Sequence, residues 1–296
     1  MDLVKARAII APSVELLKPI TWFPPMWAFA CGVVSSGQSV IDHFGFVVAG
    51  VALAGPLVCG TSQAVNDWFD RHVDAINEPN RPIPSGRLPG QTGLYIAIGW
   101  TALSAWVAFY LGAVVFVAAL LGLALAWAYS APPWRLKENG WHGNLACAAC
   151  YEGLPWITGA AVMTGGLPDW KVFALAALYS AGAHGIMTLN DFKSVEGDRQ
   201  MGVNSLPVLL GPEKAGVLAC KVMAIPQAVV ILLLLLWGHT TGAAIVTLLL
   251  AIQGVLMVKL LKRPAELAPW YNATGITLYV LGMMVSAVAL NAGVTQ

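Results

Sequence analysis

Apolar residues run through the chain in long blocks, and polar residues are confined to the short segments between them. Read at the length of a bilayer-crossing helix, about 20 residues, the blocks predict nine spans, over 17–36, 46–66, 92–110, 112–130, 143–164, 171–190, 215–236, 242–261 and 271–291. Proline and glycine mark the connections: Pro79, Pro82, Pro84 and Gly86 after the second block, Pro132 and Pro133 after the fourth, Gly165, Gly166 and Pro168 after the fifth. Pro24 and Pro25 fall inside the first block and predict a kink there. The pattern predicts an all-α, polytopic membrane protein folded as one domain over residues 1–296.

Composition narrows the class. Of 296 residues, 58% are hydrophobic and 10% charged, against about 25% charged in soluble domains. The deficit cannot be absorbed by one large soluble core; the net charge of +1 argues neither for nor against nucleic acid, but the chain is too apolar for a soluble nucleic-acid binder. All five cysteines lie in apolar runs and read as small buried hydrophobes. Cys147 and Cys150 form a C-x-x-C, but it sits in a predicted helix without a second pair, which disfavours zinc or redox chemistry. The N-terminal segment shows no small-residue cleavage site and is read as lacking a removable signal.

Lysine and arginine orient the spans. Fifteen of the 16 fall on one side of the predicted membrane, and only Lys171 on the other. The positive-inside rule then places the N-terminus in the cytoplasm and the C-terminus on the periplasmic face. Both acidic segments, 67–78 and 191–198, emerge on the cytoplasmic side.

Those segments repeat one another. Asn66-Asp67-Trp68-Phe69-Asp70-Arg71-His72-Val73-Asp74 aligns without a gap on Asn190-Asp191-Phe192-Lys193-Ser194-Val195-Glu196-Gly197-Asp198. Each closes an even-numbered span, four spans apart, as in a parallel internal repeat. At helical spacing Asp67, Asp70 and Asp74 share one face, and Asp191, Ser194 and Asp198 share another. Ordinary solvated helix ends have no need of Asn-Asp in the same place twice. Converging carboxylates require cations, and Mg²⁺ takes carboxylates together with phosphate oxygens. The candidate metal ligands are Asn66, Asp67, Asp70, Asp74, Asp191 and Asp198.

Basic residues flank the motifs. Arg81, Lys193, Arg199 and Tyr129 are candidate contacts to a diphosphate, and Asp70, Asp198, Arg135 and Lys137 form the candidate catalytic set. The positive-inside rule by itself accounts for most of the cations. A diphosphate whose attached group belongs in the membrane points to a polyprenyl diphosphate. Tyr129, Trp127, Trp156 and Tyr151 are candidates to face an allylic cation, although packing accounts for most such residues. Glu152 is an intramembrane carboxylate and functional by default. His184 reads either as an interior histidine or as a contact to the acceptor.

The motifs Asn66-Asp67-x-x-Asp70 and Asp191–Asp198 resemble those of the UbiA family of intramembrane prenyltransferases. Within the family the chain is most similar to the chlorophyll and bacteriochlorophyll synthases, through KPITWFPPMWAFACGVVSSG, the run from Gly55 to Gly90, AWAYSAPPWRLK, YEGLPWITG, GAHGIMTLNDFKSVEGDR and PWYNATG. Ser194 departs from the family pattern, where many members carry Asp; Asp191 is the expected substitute. The resemblance implies nine helices around a central cavity in the cell inner membrane, with the active site facing the cytoplasm and Mg²⁺ as cofactor. It also implies transfer of a phytyl or geranylgeranyl group from its diphosphate to the propionate of bacteriochlorophyllide. Membrane lipid is the surrounding partner; no nucleic acid is expected, and pigment-assembly proteins are not readable from the chain. Two other classes fit the acidic motifs or the repeat: a UbiA-type enzyme of quinone or haem O synthesis, and a secondary transporter for an anionic substrate.

Overall fold

A computed structural model of the protein describes the backbone of residues 3–294 and the side chains of residues 9–291. Helix α1 (Leu3–Leu16) precedes α2 (Phe23–Ser35). Helices α3 (Phe44–Ala52) and α4 (Gly60–Asn77) join through the π-helical turn Leu53–Cys59 into one helix of 34 residues. The antiparallel pair α5 (Thr92–Leu111) and α6 (Ala113–Ser130) follows. Helices α7 (Gly140–Ala148) and α8 (Leu154–Thr164) join through a second π-helical turn, Ala149–Gly153, and lead to α9 (Trp170–Asn190). Short helices α10 (Val195–Gln200) and α11 (Leu206–Leu210) lie in the next connection. The long helices α12 (Pro212–Leu236), α13 (Thr240–Leu260) and α14 (Pro264–Val294) complete the bundle.

Seven helices among the described residues are long and apolar enough to cross a membrane: Phe44–Asn77, α5, α6, α9, α12, α13 and α14. The protein is a multi-pass, all-helical membrane protein. The other two expected spans have a different form. In 17–36 the chain makes a 3-10 turn at Pro19–Thr21, and only the 13 residues of α2 are α-helical. Pro24 and Pro25 do not kink that helix. They occupy its first turn, where a missing N–H removes no intrahelical bond. The span at 143–164 is α7 and α8 with the π-helical turn between them. The other π-helical turn contains Pro56, whose carbonyl accepts the Trp100 indole N–H at 3.1 Å, so the backbone group freed there is satisfied inside the bundle.

Between helices in lipid there is no aqueous driving force, so close packing and polar clasps hold them together. Helices α2 and α8 touch through glycine: a Cβ at Gly32 would lie 2.0 Å from the Trp156 carbonyl oxygen, and one at Gly159 would lie 2.1 Å from that of Phe29. The amides of Gln227 on α12 and Gln253 on α13 exchange hydrogen bonds of 3.0 and 3.2 Å. Tyr279 on α14 donates to the carbonyl oxygen of Tyr179 on α9 at 2.5 Å.

Helix α9 spans the bundle from Trp170, beside the α12–α13 turn, to Asn190 at the acidic end. Its 21 residues make that separation about 30 Å. The segments 80–90 and 238–241 therefore lie at opposite ends. In sealed vesicles, a cysteine placed in 80–90 and one placed in 238–241 should react with an impermeant thiol reagent from opposite sides. Labelling of both from one side would contradict this arrangement.

Candidate active site

The last turns of α4 carry Asn66, Asp67, Asp70 and Asp74. Asp67 is 1% exposed and Asp74 7%, and buried carboxylates are retained only where they are paired. Lys18 Nζ lies 2.6 Å from Asp67 Oδ1, and Arg81 Nη1 lies 3.2 Å from the same oxygen. The same Arg81 nitrogen reaches Asp74 Oδ2 at 2.8 Å, while the rest of its guanidinium forks onto Glu78 at 2.6 and 2.8 Å. Burial works against the Arg81 charge, but Glu78, Asp67 and Asp74 outweigh it and hold its pKa above the ordinary arginine value. The hydrogen bond from Arg81 in turn holds Glu78 below the usual carboxylate range. Asp70 Oδ1 accepts from Lys137, with Arg135 Nη2 3.9 Å away. Asn66 Nδ2 donates to Asp70 Oδ2 at 2.9 Å and to Ser130 Oγ at 3.2 Å, tying α4 to the end of α6.

Two of these cations stand on unusual backbone. Lys18 (φ 46°) and Arg135 (φ 35°) are the only non-glycine residues with positive φ among the described residues. Each precedes a 3-10 turn, Pro19–Thr21 and Leu136–Glu138. A left-handed L-residue costs roughly 1–2 kcal/mol, and such outliers gather at functional sites. Lys18 opens one of the segments that carry the family resemblance, but in the sequence it counted only toward orientation and was not among the candidate site residues.

The second motif is not a continuous helix. Helix α9 ends at Asn190, Asp191–Lys193 forms a 3-10 turn, and α10 restarts at Val195. The expected common face of Asp191, Ser194 and Asp198 is therefore broken. Ser194 is the cause: its hydroxyl donates to the Asp191 carbonyl at 3.0 Å, a local bond that competes with the helix. It also lies 3.1 Å from Asp198 Oδ2, so serine and carboxylate are still brought together. Asp191 Oδ2 accepts from Asn144 Nδ2 on α7 at 3.3 Å, a partner with no signature in the sequence. Tyr129, next to Ser130, stands beside Cys147 and within electrostatic reach of Asp191. The end of α6 thus bridges the two motifs. Lys193 and Arg199 are not gathered here; both are exposed, and Arg199 faces Glu196 at 3.5 Å.

Among the described residues no three carboxylate, histidine or cysteine side chains stand in the geometry of an ion site. Lys18, Arg81 and Lys137 hold the first-motif oxygens instead, while Arg135 stands 3.9 Å from Asp70 and pairs with Glu138 at 2.8 Å. The donor set nonetheless suits a hard divalent cation: it is all oxygen, and the buried Asp67 Oδ2 has no hydrogen-bond partner. Toward the membrane interior, one turn before Asn66, Gln63 donates to Tyr151 Oη at 3.3 Å, and Cys59 Sγ lies 3.8 Å from the same oxygen. Glu152, in the π-helical turn, is 5% exposed with Oε2 unpartnered and is not joined to this cluster. Trp127 and Trp156 pack on Phe69 and Tyr179, away from the acidic pair. His184 packs against Trp141, with ring centroids 5.6 Å apart.

Removing the Lys18 charge leaves Asp67 buried with a single cationic partner. Lys18→Met should destabilise the metal-free protein by about 1–3 kcal/mol, read as a lowered midpoint of thermal unfolding in detergent. An unchanged midpoint would show that Arg81 alone suffices.

Comparison with known proteins identifies the family. A sequence model described as the UbiA prenyltransferase family matches residues 22–281. The chain is 59% identical over 276 residues to the bacteriochlorophyll synthase 33 kDa chain of Cereibacter sphaeroides, covering 93% of this chain and 91% of that one. It is 55% identical to the protein of the same description from Rhodobacter capsulatus, covering 93% and 92%. Among solved structures, a UbiA homolog from Archaeoglobus fulgidus bound to DMAPP and Mg²⁺ superposes with a TM-score of 0.70 at 20% identity, over 92% of this chain and 98% of that one. A family match across most of the length, relatives alike in more than half their residues, and a shared fold lead to one conclusion: the chain belongs to the UbiA prenyltransferase family.

Proposed function

We propose that the protein is a Mg²⁺-dependent bacteriochlorophyll synthase that esterifies the propionate of bacteriochlorophyllide with a phytyl or geranylgeranyl group taken from its diphosphate. The observation that carries the reading is the pairing of the first acidic motif with basic side chains from three other segments, at the end of the bundle where the second acidic motif also lies, in a chain 59% identical to a bacteriochlorophyll synthase 33 kDa chain. The Archaeoglobus protein, bound to DMAPP and Mg²⁺, supports a prenyl diphosphate and a divalent cation in this fold. A transporter would place its charges near the midplane, whereas these lie at one end.

In this reading Asn66, Asp67, Asp70 and Asp74 hold metal from one side and Asp191 and Asp198 from the other. Bound Mg²⁺ supplies charge neutralisation to the departing diphosphate. The chain does the rest. Lys18, Arg81, Arg135 and Lys137, which face Asp67, Asp70 and Asp74 here, would be the side chains that bind the phosphate oxygens of the leaving group. Lys193 and Arg199 lie outside the cluster and are exposed, so they contribute only if their segment moves toward the diphosphate. Tyr129 and Tyr151 are the aromatic residues near the motifs that would offer ring faces to developing positive charge. The apolar helices hold the prenyl tail and exclude the water that would trap the cation as an alcohol. The active site then faces the cytoplasm of an inner-membrane protein.

The direct test uses a host without tetrapyrrole esterification. Membranes containing the protein, supplied with bacteriochlorophyllide, Mg²⁺ and each prenyl diphosphate in turn, should form the corresponding ester; absence of ester with every diphosphate would refute the assignment.

Asp70→Asn keeps the side-chain size while removing the charge at the centre of the first motif. It should abolish transfer, a loss of about a hundredfold or more, with membrane insertion intact. Near-normal rate at saturating Mg²⁺ would remove the metal role.

A propionate acceptor, with a pKa of about 4.3 in water, is anionic at neutral pH. It attacks without a general base, and the ester it forms has no proton to lose. His72 is exposed and His184 is packed on Trp141, so neither is placed as a base. His72→Phe and His184→Phe should each retain substantial turnover, and the rate should show no titration near about 6.5 attributable to a base, so that its pH profile is the same in both variants and the parent. A several-hundred-fold loss in either variant, with both substrates still bound, would favour an acceptor that must be deprotonated.

A further inference from the structure

Two backbone hydrogen bonds join the connections that carry the halves of the site. The Gly140 amide donates to the Asn204 carbonyl at 2.8 Å, and the Asn204 amide donates to the Glu138 carbonyl at 2.9 Å. Together they form a parallel bridge between Asn139 and Asn204, the one isolated pairing of this kind among the described residues. Immediately upstream on one strand stand Arg135 and Lys137, which reach Asp70 of the first motif. Upstream on the other strand stands Asp198 of the second motif, whose carbonyl accepts the Val203 amide at 2.8 Å. Downstream of the bridge α7 begins, and its Asn144 holds Asp191.

The local sequence favours this contact over helix stability. Helix α7 opens Gly140-Trp141-His142-Gly143, two glycines where alanine would be more helical by about 1 kcal/mol each. Gly140 is needed for approach, and Gly143 eases it. A Cβ at Gly140 would lie 2.6 Å from the Leu206 amide nitrogen, and one at Gly143 would lie 3.1 Å from the Leu136 carbonyl oxygen. The Asn139 side chain accepts from the Trp141 and His142 amides at 3.0 and 3.2 Å and sets where the helix starts. No substrate-facing group is involved; what the bridge controls is the separation of Lys137 from the second acidic motif.

We propose that the Asn139–Asn204 bridge is a positioning device for the diphosphate. It holds Lys137 and the Asp191–Asp198 segment at one separation, so that phosphate oxygens are gripped from both sides while it is closed. Gly140 and Asn204 act as positioning residues, through Lys137 and Asp198. The inference rests on the reading of Lys137 as a phosphate ligand given under the proposed function.

The test is backbone surgery on the full chain in lipid nanodiscs. Asn204→Pro deletes the amide that donates to Glu138; Asn204→Ala keeps it. Asn204→Ala should behave as the parent protein. Asn204→Pro should raise the KM for prenyl diphosphate about tenfold, the scale of a misplaced positioning contact, and leave the KM for the tetrapyrrole within about twofold. In a Lys137→Met background, where the positioned group is gone, Asn204→Pro should add less than about twofold, because coupled sites are non-additive. Equal rises in both KM values, or full additivity with Lys137→Met, would mean that the bridge serves only stability and would overturn the proposal. Should Asn204→Pro fail to fold, hydrogen exchange on the parent protein decides. Inorganic diphosphate with Mg²⁺ should slow exchange of the Gly140 and Asn204 amides in the parent and not in Lys137→Met; no slowing in the parent, with diphosphate shown to bind, would overturn it. Absence of diphosphate binding by the parent would instead strike at the phosphate-ligand reading itself.

Discussion

The site is governed by the expense of burying negative charge at the end of an apolar bundle. Asp67 and Asp74 are almost wholly removed from water, and an unpaired carboxylate so placed would cost several kcal/mol. Much else follows from answering that charge. Arg81 is bent back along its own loop to reach Asp67, Asp74 and Glu78, which fixes the course of the segment after α4. Lys18 and Arg135 take up left-handed backbone at the mouths of their spans. Asp70 draws Lys137 across from the connection between α6 and α7. Loops that would otherwise be free to move on the membrane surface are thereby pinned to one helix end.

The same arrangement explains how a diphosphate site is kept in readiness. A cluster of carboxylates with no cation would push its helices apart, whereas a cluster of arginines and lysines with no anion would do the same in the opposite sense. Interleaving them makes the resting site self-neutral. A metal and a diphosphate bound together would add charges of both signs, so little net charge would have to be accommodated in a region of low dielectric. The internal repeat supplies acidic helix ends at Asn66–Asp74 and Asn190–Asp198.

The repeat is not kept with equal fidelity in its two halves. The first acidic motif is a regular helix with paired side chains, while the second is broken at Ser194 and held by Asn144 and the backbone bridge at Asn204. One half is ordered by ion pairs from its helix to basic residues of other segments, the other by hydrogen bonds to neighbouring elements. The short helix α7 is central to the second kind of order, since it meets Asp191, Asn204 and the Lys137 turn within its first five residues.

Hydrophobic block length determined that the chain is helical and crosses a membrane several times, because a backbone in lipid has to satisfy its own hydrogen bonds and helices do so locally. The two acidic motifs were equally legible, since Asn-Asp and the following carboxylates recur at one spacing in one register. Other features were decided only in three dimensions. Pro24 and Pro25 read as a kink until the preceding turn at Pro19–Thr21 made them the start of α2. Ser194 read as a lost ligand, yet its hydroxyl both breaks the helix and meets Asp198. Lys18 was one basic residue among many, and nothing in its neighbours along the chain reports that Asp67, 49 positions away, lies within 2.6 Å. Asn144 and Asn204 had no motif at all. Local sequence carries periodicity and composition; which charge faces which, across connections of tens of residues, is set by how the helices pack.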